Sequence, residues 1–161
     1  MNKKLANNFK RWQELQRKVK LKLSSIENIL LQQSCSKYAF KHDSFKNIIL
    51  EFPDFPNNLS LKQSFEQEKY TNQLNDIIQE FNSLIASFQS LLKETLLKVN
   101  GNSSLLQLAQ VIDTRLNQLI LERVLLVHLF SKLESCFETN LPLFIKSYTA
   151  KLVLTSQESQ L

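Results

Sequence analysis

The chain has 161 residues, a single Gly, a hydrophobic content of 43% and a formal net charge of +5. That is one domain's length, too apolar for a disordered chain, and one Gly excludes the glycine-rich phosphate turns of Rossmann and P-loop sites. No apolar run approaches the ~20 residues of a bilayer crossing and the N-terminus lacks a signal-peptide core, so a soluble, unsecreted protein with no membrane contact is expected.

In chain order, Leu5, Phe9, Trp12, Val19, Leu23, Ile26 and Leu30 recur at three- and four-residue steps, with Gln16 interrupting. This predicts a first helix over 5–34. Within it, 18–23 alternates Lys with apolar residues as a strand would, but without turn residues at either edge the helical reading prevails. Residues 35–61 read as a connector with a short helix near 44–51, closed by the break Phe52-Pro53-Asp54-Phe55-Pro56-Asn57-Asn58.

From Leu74 the apolar residues form three heptad columns: Leu74, Phe81, Phe88; Ile77, Leu84, Leu91; and Ile78, Ile85, Leu92, Val99. They predict a second helix over 62–99, opened by a capping box at Ser60/Gln63 or Ser64/Gln67 and closed by Asn100-Gly101. Ser104 with Gln107 offers the next capping box. Leu105, Leu108, Ile112, Leu116, Leu119, Leu126, Phe130 and Leu133 then place a third helix over 104–136. The short link makes these two an antiparallel hairpin. A last helix is expected over 141–154, with Pro142 in its first turn and a tail at 155–161.

The whole chain, 1–161, is thus expected to be one all-α domain. Helices of roughly 50 Å, against a compact radius of gyration of about 15 Å, make it an elongated bundle around an antiparallel hairpin. Apolar residues on more than one side of the central helices point to a partner chain.

Charge is concentrated in residues 1–46, which carry eleven Lys/Arg against three Asp/Glu, while the remainder is net negative. Lys3, Lys4, Lys10, Arg11, Arg17, Lys18 and Lys22 form a ribbon on the first helix opposite the Trp12 stripe, with pairs repeating every seven residues. Such a ribbon is a solvated face, or a site for RNA phosphates or an acidic protein. No aromatic is interleaved with it, which argues against stacking on single strands.

His128, inside Val-Leu-Leu-Val-His-Leu-Phe, reads as a core histidine, and His42 has only Asp43 beside it. Cys35 and Cys136 lack a CxxC partner or flanking base and suit a reducing cytosol or nucleus. Neither a metal set, nor a catalytic dyad, nor a cofactor site emerges, so the chain is expected not to be an enzyme. Trp12 is either a core ring or an interface anchor. Phe52 and Phe55 either cap the bundle end from inside or face outward as docking rings on a proline-stiffened segment.

Trp12, Leu23-Ser24-Ser25 with Asn28, Gln32-Gln33, Phe40 and Phe52-Pro53-Asp54 together resemble the N-terminal pattern of the AIRIM family. These are small helical adaptors that work with hexameric AAA+ ATPases maturing large ribosomal subunit precursors. The last two helices are also similar to the CINP-type subunit expected beside AIRIM in that assembly. The resemblance implies a CINP-like helical partner, an AAA+ ATPase hexamer, a pre-ribosomal particle or RNA as further contact, and residence in cytoplasm and nucleus. It marks Trp12, Phe52, Pro53, Asp54 and Phe55 as candidate partner-binding residues. The link at Asn100 to Ser104 is shorter than the family's linker, and Leu121-Glu122-Arg123 stands where the family has a basic cluster.

Overall fold

A computed structural model describes residues 2–135 and Ala150. Among the described residues 2–135 lie four α-helices, α1 (Asn2–Ala39), α2 (Lys46–Glu51), α3 (Phe55–Leu97) and α4 (Ser103–Ser135), with a 3-10 turn at Asp43–Phe45 before α2. No strand occurs among the described residues, and 18–23 lies inside α1. Apart from Ala150, which is helical, the expected helix over 141–154 and the tail lie outside the described residues.

The three long helices form an up-down-up bundle. Lys4 meets Glu94, Asn8 meets Ser87 and Gln33 meets Gln67, so α1 and α3 run antiparallel along nearly their whole length. Arg123 of α4 donates to Asn82 of α3, and the short link makes that pair antiparallel too. At 1.5 Å per residue α3 is ~65 Å long, and the bundle is a rod.

Its core follows the sequence periodicity. Trp12, Leu15, Val19, Leu23 and Ile26 of α1 meet the Leu74–Leu91 columns of α3 and Ile112, Leu116, Leu119, Leu126, Leu129 and Leu133 of α4. The third heptad column is only partly covered: Ile78 is buried, while Ile85 and Leu92 pack at the core's edge.

Helix boundaries differ from the expected ones for identifiable reasons. Cys35 to Ala39 contain no breaker, so α1 runs on to Ala39. Pro56 sits in the first turn of α3, where its missing N–H costs nothing. Only Phe52 to Asp54 interrupts the helices there, and α3 starts seven residues earlier than the capping boxes suggest. Ser60, Gln63, Ser64 and Gln67 therefore lie inside the helix. Gln63 is buried, and its Nε2 donates to Ser36 Oγ at 3.3 Å. Gln67 Oε1 accepts from Gln33 Nε2 at 3.2 Å, so these residues cross-link α1 to α3 rather than cap.

The α3–α4 reversal uses Asn100 and Gly101, both with positive φ (29° and 80°), as the Asn-Gly pair requires. The α4 cap is Asn102, two residues before the expected Ser104: its Oδ1 accepts from the Ser104 and Leu105 amides at 3.0 and 3.3 Å.

Candidate functional site

Trp12 belongs to the chain's own core. Its ring stacks on Phe9 at 6.2 Å and meets Phe88 edge-on at 6.1 Å. Its Nε1 donates to Glu122 Oε2 at 2.8 Å, and Gln16 Nε2 donates to Glu122 Oε1 at 2.9 Å. Glu122 is fully buried. The interface-anchor expectation for Trp12 is thereby corrected, because a ring enclosed in this way offers a partner nothing. Glu122 itself was hidden in sequence by its charge. It lies three residues after Leu119 and four before Leu126, squarely on the α4 core stripe, and Gln16 interrupts the α1 stripe because it serves this carboxylate.

The basic ribbon does not lie opposite the core stripe as a whole. The second member of each heptad pair flanks the α1–α3 seam. Lys4 pairs with Glu94 at 3.0 Å, Lys18 pairs with Glu80 at 2.9 Å, and Arg11 Nη2 donates to Ser83 Oγ at 3.4 Å. Lys22 stands 5.4 Å over the Tyr70 ring. The two Lys–Glu pairs are spaced by fourteen residues on both helices, the e/g logic of coiled coils. Arg17 pairs within its own helix with Glu14 at 2.6 Å. Lys3 and Lys10 are exposed with no acidic partner among the described residues. Glu94, held by Lys98 and Lys4, is lowered to about 2, and the Arg17 guanidinium lowers Glu14.

The rings after α2 face outward. Phe52 is 61% exposed and Phe55 42%, with Pro53 and Asp54 also exposed. Phe55 keeps one edge against Phe40 at 6.0 Å, and Phe40 meets Phe45 at 6.4 Å. The expectation of a cap with both rings tucked inward is not met: Phe40 supports the base of an aromatic tip whose outer surface is Phe52 and one side of Phe55. Leu50, Leu61 and Phe65 are exposed at the same end of the bundle. On α4, Leu121, Val124 and Val127 are exposed as well.

His128 is exposed, against its expected place in the core, because it falls on the Leu121–Val124 side of α4. His42 Nδ1 lies 3.1 Å from Ser44 Oγ on the surface. Cys35 is a free, exposed thiol, and Cys136 lies outside the described residues. Among the described residues no group of His, Cys, Asp and Glu is arranged to hold a metal ion, and no helix is long and apolar enough to cross a membrane. The geometry brings together a buried polar triad, an ion-paired seam and an aromatic tip, and only the tip presents unsatisfied apolar surface with stiff backbone. No family model, curated protein or solved structure matches the chain.

Proposed function

We propose that the protein is a non-enzymatic helical adaptor that pairs with a second helical subunit and positions an AAA+ ATPase in large ribosomal subunit maturation, working in cytoplasm and nucleus. The observation that carries this reading is the aromatic tip. Phe52 stands on the break between α2 and α3 and Phe55 opens α3, both with their rings exposed, where an ordinary monomer would cover them. A segment stiffened by Pro53 and Pro56 loses little conformational entropy on docking. The resemblance of Trp12, Leu23-Ser24-Ser25 and Phe52-Pro53-Asp54 to the AIRIM pattern supplies the partner class, a CINP-like subunit and an AAA+ hexamer. The exposed Leu121, Val124 and Val127 supply a second face for helix-against-helix contact.

The alternative of RNA binding by the basic ribbon is weakened by the seam. Lys4, Lys18 and Arg17 are engaged by carboxylates and Lys22 by a ring, which leaves Lys3, Lys10 and Arg11, the last on the Ser83 hydroxyl, as exposed cations with no acidic partner among the described residues. The test is affinity capture of the tagged full chain followed by mass spectrometry. Co-purification of an AAA+ ATPase with a second small helical protein is the expected result, and a chain that purifies with neither contradicts the proposal.

A further inference from the structure

The link between α3 and α4 holds the chain's single glycine, with an asparagine directly before it. Asn100 and Gly101 are both exposed and both have positive φ, 29° and 80°. One backbone hydrogen bond closes this turn: the Asn102 amide donates to the Val99 carbonyl at 2.5 Å, spanning Asn100 and Gly101 without engaging either. Among the described residues, neither the Gly101 N–H nor the Asn100 side-chain amide has a hydrogen-bond partner. Apart from its chain neighbours, no atom lies within 4 Å of the position a Gly101 Cβ would take. Asn102 is the contrasting case. Its Oδ1 accepts from the Ser104 and Leu105 amides at 3.0 and 3.3 Å, which holds the side chain against α4, and the residue after it, Ser103, carries a Cβ. Asn72, Asn75 and Asn82 lie inside α3 and Asn117 inside α4, where the amide that follows each is tied into the helix.

We propose that Asn100 is a site of self-modification, converted to aspartate and isoaspartate by attack of the Gly101 amide nitrogen on the Asn100 side-chain carbonyl carbon. The Gly101 nitrogen gives its proton to water and forms the new N–C bond, the C–N bond of the side-chain amide breaks, and ammonia leaves, which closes a succinimide ring. Water, the sole co-reactant, then opens the ring. Addition at the former side-chain carbonyl gives aspartate, and addition at the backbone carbonyl gives isoaspartate, whose main chain runs through the former side chain. Nucleophile and carbonyl are adjacent in one chain, so their effective concentration is high. What usually restrains this chemistry in a folded protein is missing here: the nitrogen is not tied up in a hydrogen bond, no Cβ blocks its approach, and the exposed turn admits the water that takes the proton and opens the ring. The inference does not depend on the function proposed above. Isoaspartate adds a methylene to the backbone, so the pair of positive φ angles that reverses the chain is lost, and Asn102 is carried away from the amides it caps. α3 and α4 are then joined by a longer, uncapped link.

The test incubates the full, unaltered chain in heavy-oxygen water at mildly alkaline pH, once native and once unfolded in urea. Peptide mass spectrometry reads oxygen incorporation at each asparagine, and electron-transfer fragmentation tells isoaspartate from aspartate. In the native protein, incorporation is expected at residue 100 on the timescale of the unfolded chain, with none at Asn102 over the same period. Its rate should rise with pH, because the attacking nitrogen must lose its proton, and Gly101→Ala should slow it in both states. Labelling of Asn100 only in the unfolded chain, or native labelling shared equally by Asn100 and Asn102, overturns the proposal, as does labelling that Gly101→Ala leaves unchanged. Chains carrying isoaspartate, separated by charge from the starting protein, should melt below the Asn100→Asp variant, which bears the same charge on an unaltered backbone. Equal midpoints refute the uncapping.

Discussion

The indole of Trp12 on α1 and the carboxylate of Glu122 on α4 are joined by a 2.8 Å hydrogen bond inside the core, and Gln16 fills the other carboxylate oxygen at 2.9 Å. A buried carboxylate is tolerated only when its oxygens find donors, so this triad fixes how α1 and α4 sit across α3. Trp12→Phe removes one donor from a buried carboxylate and should cost on the order of 2 kcal/mol or more. Glu122→Leu should cost a similar amount by stranding the indole and the amide. The double variant should cost clearly less than the two together, since indole and carboxylate are then removed as a pair, leaving the Gln16 amide without its partner. Urea denaturation of the four proteins measures this; strict additivity contradicts the coupling.

The reversal between α3 and α4 rests on local backbone chemistry. Asn102→Ala removes the side chain that caps the Ser104 and Leu105 amides and should destabilise by about 1 kcal/mol. Gly101→Ala meets no atom within 4 Å, so its cost is that of the left-handed backbone alone, also about 1 kcal/mol. Thermal melts of both variants check the pair, and an unchanged midpoint in either contradicts the assigned turn.

The ion-paired seam should show in acid. Glu94 titrates at about 2 instead of 4.5 because Lys98 and Lys4 hold its charged form. A depressed carboxylate contributes stability that is present above 4.5 and is lost as pH falls toward 2. Lys4→Gln should therefore lower stability slightly above pH 4.5, where an exposed pair contributes weakly, and flatten the acid limb so that the two proteins converge toward pH 2. Denaturant midpoints taken at intervals of pH test it; parallel acid limbs for the two proteins contradict it.

Phe88 is fully buried and lies edge-on to Phe9 and Trp12. Phe88→Ala should cost about 3–5 kcal/mol, enough to shift a melt by many degrees. A small shift contradicts the aromatic core described for the α1–α3 face.

Much of this architecture is legible in sequence. The heptad columns from Leu74 to Leu91 and the α1 stripe from Trp12 to Ile26 name the core almost residue by residue, because a 3.6-residue period leaves few choices of buried face. Asn100-Gly101 marks the reversal because few residues accept positive φ. What sequence conceals is anything whose meaning depends on a neighbour. Ser60/Gln63 and Ser64/Gln67 have the spacing of capping boxes, yet they sit inside α3 because helix continues unbroken back to Pro56, and Gln63 and Gln67 find their partners on α1. Glu122 looks like a surface charge until Trp12 and Gln16 arrive from another helix. The Lys and Arg residues look like one ribbon, although the three-dimensional seam splits them into paired and unpaired members. Of the candidate site, Phe52 and Phe55 are legible as a stiff aromatic segment, but their outward orientation comes only with the fold.

The central claim is that this aromatic tip docks an AAA+ ATPase assembly. The most direct test is Phe52→Ala in the full chain, with thermal midpoint and affinity for the captured ATPase assembly measured side by side. Phe52 is 61% exposed, so the midpoint should stay where it is, while loss of an interface anchor of about 2 kcal/mol should weaken binding roughly thirty-fold. An unchanged midpoint with unchanged affinity, or a lowered midpoint with full affinity in the folded protein, contradicts the account.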